Sequence, residues 1–288
     1  MDHFMKLIAF RNQDASIDSA AQMGVLVGDS ITALTSLVDF YSDTKGWLAK
    51  AGTLKGNSIP LTSVQLAVPV PATAKVICVA INYVAHGKEG GLPTPSFPNL
   101  FARWSCNLVT NGTPVPVPRT EPDGVDWEVE LAAIVGSKML EVNQEEAIQG
   151  LLGYTVFNDI SGRASQLQTM TLSTGQWAIG KNLDSSGAVG SIIATADTFD
   201  LSNKRLTTKV DGVLMQDGTT ADMVFSVPQI IEFITQSITL NPGDLIATGT
   251  PSGVGFGRNP RVYAKPGSVL EVYVEDIGTI ANPIVSRA

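Results

Sequence analysis

Short apolar runs broken by glycine, proline, asparagine and aspartate recur along most of this chain. Near the start, runs at 6–10, 24–28 and 30–34 predict three short strands, and the pattern over 37–51 predicts a helix. Val68-Pro69-Val70-Pro71 is a proline-punctuated connector. It places a boundary between a small N-terminal α+β domain, 1–70, and a larger domain, 71–288. Beyond it, turn clusters such as Gln216-Asp217-Gly218-Thr219, Asn241-Pro242-Gly243-Asp244 and Lys265-Pro266-Gly267-Ser268 separate short strands. That spacing predicts a mainly β fold with some helix: a sandwich, barrel or roll. Two helix starts stand out in this part. Asn143 with Glu146 has capping-box spacing, and Ser226 precedes Pro228 and an apolar run. Strand–helix alternation and a phosphate-binding glycine fingerprint are both missing, so a doubly wound fold is not expected.

One apolar run carries charge where a strand should not. In Asp126-Trp127-Glu128-Val129-Glu130-Leu131-Ala132-Ala133-Ile134-Val135, side chains alternate, so Glu128 and Glu130 share a face. Like charges side by side destabilise a sheet unless something positive lies between them. The plain alternative is an edge strand with both carboxylates in water. A second apolar run, 150–157, ends at Asn158-Asp159, and a third, 176–180, ends at Lys181. A lone buried carboxylate is very costly, so each acid needs a partner. Three carboxylate ligands completed by water suit a hard cation, Mg²⁺ or Mn²⁺. Zinc is not expected: the chain has two Cys and two His, without structural zinc spacing.

His86 follows an apolar strand in Tyr83-Val84-Ala85-His86-Gly87-Lys88-Glu89. If this segment is helical, His86 and Glu89 meet at i, i+3, the pairing a general base needs. An exposed loop histidine beside an incidental acid is the other reading. His3 is expected to be inert, and Cys78 and Cys106 to be reduced thiols. The loop Thr248-Gly249-Thr250-Pro251-Ser252-Gly253-Val254-Gly255 lacks a P-loop ending. It either presents N–H groups to an anion or is a tight turn. A net charge of −8 argues against a nucleic-acid partner. No apolar stretch is long enough for a bilayer and no secretory signal is evident, so a cytoplasmic protein without a membrane partner is expected.

These residues, in their order along the chain, resemble the fumarylacetoacetate hydrolase family from about Ala74 to the C-terminus. The matching pieces are Asn82-Tyr83 with His86 and Glu89, Asp126 with Glu128 and Glu130, and Asn158-Asp159 with Ser161 and Arg163. They continue through Gly180-Lys181, Asp211-Gly212 with Gln216, Asn241 to Asp244, and Thr248 to Gly255. The resemblance implies a mixed β-sandwich roll as the catalytic domain, commonly in a homodimer. It implies Glu128, Glu130 and Asp159 as ligands of Mg²⁺ or Mn²⁺, with Ca²⁺ as a substitute in crystals. It implies Lys181, His86 and Glu89 as catalytic residues, and Tyr83, Arg163 and Thr250 as substrate contacts. The chain departs from the family at Phe101-Ala102-Arg103-Trp104-Ser105, where relatives often read Phe-x-Lys and then prolines, at Ala164, and at 187–191.

The family's substrates are 2-oxo or 2,4-dioxo acids. The first expectation is a metal-dependent hydrolase that cleaves a C–C bond of a 2,4-dioxo acid through an enolate, with water activated by His86. Decarboxylation of an oxaloacetate-type diacid, or isomerisation or hydration of an unsaturated oxo acid, uses the same enolate. A non-catalytic ligand-binding relative is the third reading. Arg103, whose planar fork suits a carboxylate, and Trp104, with its large apolar face, are expected to select a substrate bulkier than a short acylpyruvate.

Overall fold

Two strands that are apolar on both faces form the centre of the molecule. In a computed structural model, which describes residues 4–16, 19–53, 56–168 and 175–287, strand Val129–Val135 pairs antiparallel with Leu151–Asp159. Every residue of both strands is buried. Period two explains why no alternation shows in the sequence. Val129, Leu131, Ala133 and Val135 face one apolar cluster, while Ala132 and Ile134 face another. Glu128 and Glu130 belong by parity to the second face.

The hairpin lies within a 13-stranded sheet. On one side Val129–Val135 pairs with Leu245–Ala247, which runs parallel to Val76–Ala80, followed by Asn99–Arg103. On the other side Leu151–Asp159 pairs with Gly187–Val189 and Ile192–Thr195. Ile192–Thr195 in turn pairs with Lys6–Asn12, in the register Lys6 opposite Ala194. The N-terminal strands Gln22–Val27 and Ser30–Ser36 therefore extend the same sheet. A second, five-stranded sheet holds Arg205–Val210, Val213–Thr219, Val269–Val274, Gly278–Ser286 and Val115–Val117. Its Leu206, Val210, Leu270, Val272 and Val274 complete the first cluster with Ile230, Ile231 and Ile234. The expected mainly β fold with some helix is what forms.

The three N-terminal strands form where expected, but the helix over 37–51 divides into Leu37–Ser42 and Thr44–Ala51. Asp43 takes φ −146° and ψ 62°, and its Oδ1 accepts the Gly46 N–H at 3.0 Å. A short polar side chain that bonds its own backbone competes with helix propagation. Helix Gln144–Gln149 starts with the expected capping box at Asn143, and Val227–Thr235 starts at Ser226 with Pro228 in its first turn. His3 lies outside the described residues.

Candidate active site

At one end of the central hairpin the strand order delivers three acids to one point. Glu128 immediately precedes strand Val129–Val135, Glu130 lies in it, and Asp159 ends the neighbouring strand. The Asp159 N–H donates to the Glu128 carbonyl at 2.9 Å, so the two residues lie directly across the ladder. One carboxylate oxygen from each of Glu128, Glu130 and Asp159 lies within 4.8 Å of the others. All three are buried. Each is oriented by a different donor. Arg163 Nη2 donates to Glu128 Oε1, Arg103 Nη1 to Asp159 Oδ1, and the Gly249 N–H to Glu130 Oε2 at 2.7 Å. Lys181 follows the short helix Trp177–Gly180 and is fully buried. Its Nζ bridges Glu128 Oε2 and Asp159 Oδ2, at 2.6 Å each.

The charges do not balance. Asp126, Glu128, Glu130 and Asp159 stand against Arg103, Arg163 and Lys181. Glu130 is the acid left over: among the described residues it forms no ion pair. Burial pushes its carboxyl well above the ordinary value, and the nearby Asp159 and Glu128 push it further. Burial also acts to raise Glu128, but Lys181 and Arg163 overcome it and pull that carboxyl down to about 2. Burial acts to lower the Lys181 ammonium, yet Asp159 and Glu128 raise it above its usual value, so it stays charged. Three convergent carboxylate oxygens with one uncompensated charge fit a hard divalent cation. The donor set holds neither thiolate nor imidazole, as zinc would favour.

The expected dyad forms, and its histidine shares a cavity with the acids. Val84–Glu89 is helical, and His86 Nδ1 lies 3.3 Å from Glu89 Oε2. Glu89 is fixed from behind by the Gly253 N–H, which reaches its two oxygens at 3.0 and 3.2 Å. The glycine-rich loop does present N–H groups to anions, and those anions are the protein's own. Gly249 serves Glu130, Gly253 serves Glu89, and Gly255 and Phe256 serve Asp126 at 2.6 and 3.1 Å. A side chain at Gly253, where φ is +104°, would meet the Met215 carbonyl. His86 of the dyad and Glu128 and Glu130 of the acids line one cavity of about 200 Å³. Its lining includes His86, Glu128, Glu130, Arg163, Lys181 and Thr250, with apolar walls from Phe101, Trp177 and Phe256.

Three expected substrate contacts lie off the cavity wall. Arg103 has no exposed side-chain surface, and its guanidinium bonds Asp159 and Ser186 beneath the acids. Trp104 lies on an outer surface groove with Pro116 and Ile179. Both departures follow from the strand Asn99–Arg103: consecutive residues at its end point to opposite faces. Tyr83 is buried beside Glu130 rather than on the cavity wall, and among the described residues its hydroxyl has no hydrogen-bond partner. Sequence reading assigned no role to Asp126. It is fully buried and joins Arg163 Nε, at 2.7 Å, to the loop at Gly255 and Phe256. The same even-numbered parity that grouped Glu128 with Glu130 was its signal. Glu121, which accepts the Ala164 and Ser165 N–H groups at 2.8 Å, carried no local signal.

The family model for the C-terminal domain of fumarylacetoacetate hydrolase matches residues 75–285. The chain is 36% identical over 225 residues to the mitochondrial oxaloacetate tautomerase fahd2 of Xenopus laevis, covering 78% of this chain and 69% of that one. Among solved structures, 2-hydroxyhepta-2,4-diene-1,7-dioate isomerase from Mycobacterium marinum is 29% identical, with a TM-score of 0.77 over 99% of each chain. Maleylpyruvate hydrolase from Sphingobium sp. SYK-6, in complex with manganese (II) and pyruvate, is 27% identical. Its TM-score is 0.79 over 99% of this chain and 100% of that one.

Proposed function

The chain belongs to the fumarylacetoacetate hydrolase family, and on that premise we propose that it is a metal-dependent enzyme that interconverts the keto and enol forms of a short 2-oxo diacid, oxaloacetate in the first instance. The observation that carries the reading is that His86, paired with Glu89, lines one small cavity with Glu128, Glu130 and Lys181, where Asp159 completes the cluster of buried acids. Glu128, Glu130 and Asp159 would hold Mg²⁺ or Mn²⁺, and the ion would supply Lewis acidity to the 2-oxo group. His86 takes the proton from the carbon next to that group and delivers it to the 2-oxo oxygen, the reverse transfers regenerating the keto form, with Glu89 holding the imidazole in place. Lys181, kept charged by Glu128 and Asp159, faces the oxygen on which negative charge develops. Arg163 and Thr250 line the same cavity and are the contacts for the substrate's carboxylate. The name of the Xenopus relative supports the choice of reaction, and the cavity's size supports a short substrate rather than the bulky one first expected.

Hydrolysis of a 2,4-dioxo acid is the second reading. It is favoured by the Sphingobium neighbour, a maleylpyruvate hydrolase in complex with manganese (II) and pyruvate, and it would use His86 to activate water. The two separate in one assay set: loss of enol absorbance from oxaloacetate, and release of pyruvate from oxaloacetate and from acylpyruvates. Rapid loss of the enol without pyruvate release supports tautomerisation. Pyruvate release from acylpyruvates at a comparable rate sinks it in favour of hydrolysis, and release from oxaloacetate sinks it in favour of decarboxylation. The assembly we propose is the homodimer the family implies; a monomeric mass by light scattering counts against it. Among the described residues no helix is long and apolar enough to cross a membrane. The expected cytoplasmic location gains no support from the Xenopus relative, whose name is mitochondrial.

A further inference from the structure

We propose that Arg103 is a positioning residue for Asp159: its buried guanidinium holds one carboxylate oxygen and thereby turns the other toward Glu128 and Glu130. The inference rests on the metal reading of those three acids and is independent of which oxo acid is the substrate.

Arg103 ends strand Asn99–Arg103, and neither its side chain nor that of Asp159 has exposed surface. Its Nη1 donates to Asp159 Oδ1 and, at 3.3 Å, to the Ile160 carbonyl, while Nη2 donates to Ser186 Oγ. Ser186 is itself fixed by donating to the Leu183 carbonyl at 2.7 Å. The guanidinium therefore spans the end of one strand and the start of the next, Gly187–Val189. Gly187 leaves the slot open: a Cβ there would lie 3.3 Å from Arg103 Nε and 2.8 Å from Leu108. With Oδ1 taken, Oδ2 is the oxygen that shares the Lys181 ammonium with Glu128. Arg103 is absent from the cavity wall, so it reaches substrate only through Asp159. A planar fork holds a carboxylate and a hydroxyl at once with its donors in rigid geometry, whereas a lysine ammonium carries rotatable donors on one point charge and does not fix the orientation of the carboxylate it binds. Outer partners of this kind orient ligands, and their loss typically costs about 10–100-fold in metal affinity.

The test is Mn²⁺ affinity, by electron paramagnetic resonance of the free ion, for wild type, Arg103→Lys and Ser186→Ala. Thermal unfolding with and without chelator accompanies it, as do KM and kcat at saturating Mn²⁺. The expected result is a Mn²⁺ Kd raised about 10-fold or more in Arg103→Lys. A smaller rise is expected in Ser186→Ala, which keeps the charge and loosens the fork. KM at saturating metal stays at the wild-type value. If Arg103→Lys does not fold, Ser186→Ala alone decides. A changed KM with wild-type Mn²⁺ affinity makes Arg103 a substrate contact and overturns the proposal. Lower thermal stability with wild-type Mn²⁺ affinity makes it a packing residue and does the same. A wild-type protein that binds no Mn²⁺ overturns the metal reading itself, so the two failures are distinguishable.

Discussion

At the scale of single residues, Glu130 and His86 carry the sharpest expectations. Glu130 takes up a proton more readily in the folded chain than in the unfolded one, because its carboxyl is raised above the ordinary 4.5. Its contribution to stability is therefore present at low pH and lost as pH rises through the raised value. Glu128 works in the opposite sense: its contribution holds above 4.5 and is lost only as pH falls toward about 2. The metal-free protein should thus show a Tm that falls as pH rises through the Glu130 titration. Glu130→Gln should remove the fall, and Mn²⁺ should reverse it in wild type but not in the variant. A pH-independent Tm difference between the two proteins would show that Glu130 does not titrate there. His86→Ala should lower turnover by roughly 10²–10⁴-fold, the usual worth of a positioned general base, with Mn²⁺ affinity little changed. Equal loss of turnover and metal affinity would place His86 among the structural supports of the metal instead. Both residues were legible in the chain, Glu130 from its parity with Glu128 and His86 from its spacing to Glu89. The arginines behind the acids were not: Arg103 and Asp159 are separated by 56 positions, and no local pattern records such a pairing.

At the scale of elements, the loop Thr248 to Phe256 is as much a part of the site as the strands. Its N–H groups hold Glu130, Glu89 and Asp126 in one frame, linking the acid cluster to the dyad helix Val84–Glu89. A glycine-rich loop signals an anion, but sequence does not say whose, and here the carboxylates come from two other segments, the run 126–130 and the helix Val84–Glu89. Gly253→Ala should disturb the frame directly. Its added methyl group meets the Met215 carbonyl at 2.3 Å and its φ of +104° strains any other residue, at about 1–3 kcal/mol. Turnover should fall with stability, through displaced Glu89; unchanged turnover in a destabilised variant would show that the Gly253–Glu89 bond is not needed. Asp126→Asn should cost more, about 3–5 kcal/mol in urea unfolding, because it leaves the buried Arg163 short of a counter-charge. Helix ends read well because their signals are local, as at Asn143 and Ser226. The break at Asp43 read poorly because the apolar pattern continues across it and only the side chain's own hydrogen bond ends the helix.

At the scale of the molecule, one large sheet holds the acids at a hairpin end while a second sheet and its helix seal the opposite face. The mainly β character and the acid cluster were readable from run lengths, turn residues and parity. The union of the first strands with the large sheet was not, because Lys6 and Ala194 meet across most of the chain. The arrangement concentrates four carboxylates and three cations in a nearly dry core, which makes sense if a divalent cation and an anionic substrate complete the charge. The most direct test of that account is the rate at which enol oxaloacetate loses its ultraviolet absorbance when mixed with the protein, before and after chelation and after return of Mn²⁺ or Mg²⁺. The account predicts acceleration that vanishes on chelation, returns with metal, and is absent in Glu130→Gln. Acceleration that survives both chelation and Glu130→Gln, or none with metal demonstrably bound, would contradict it.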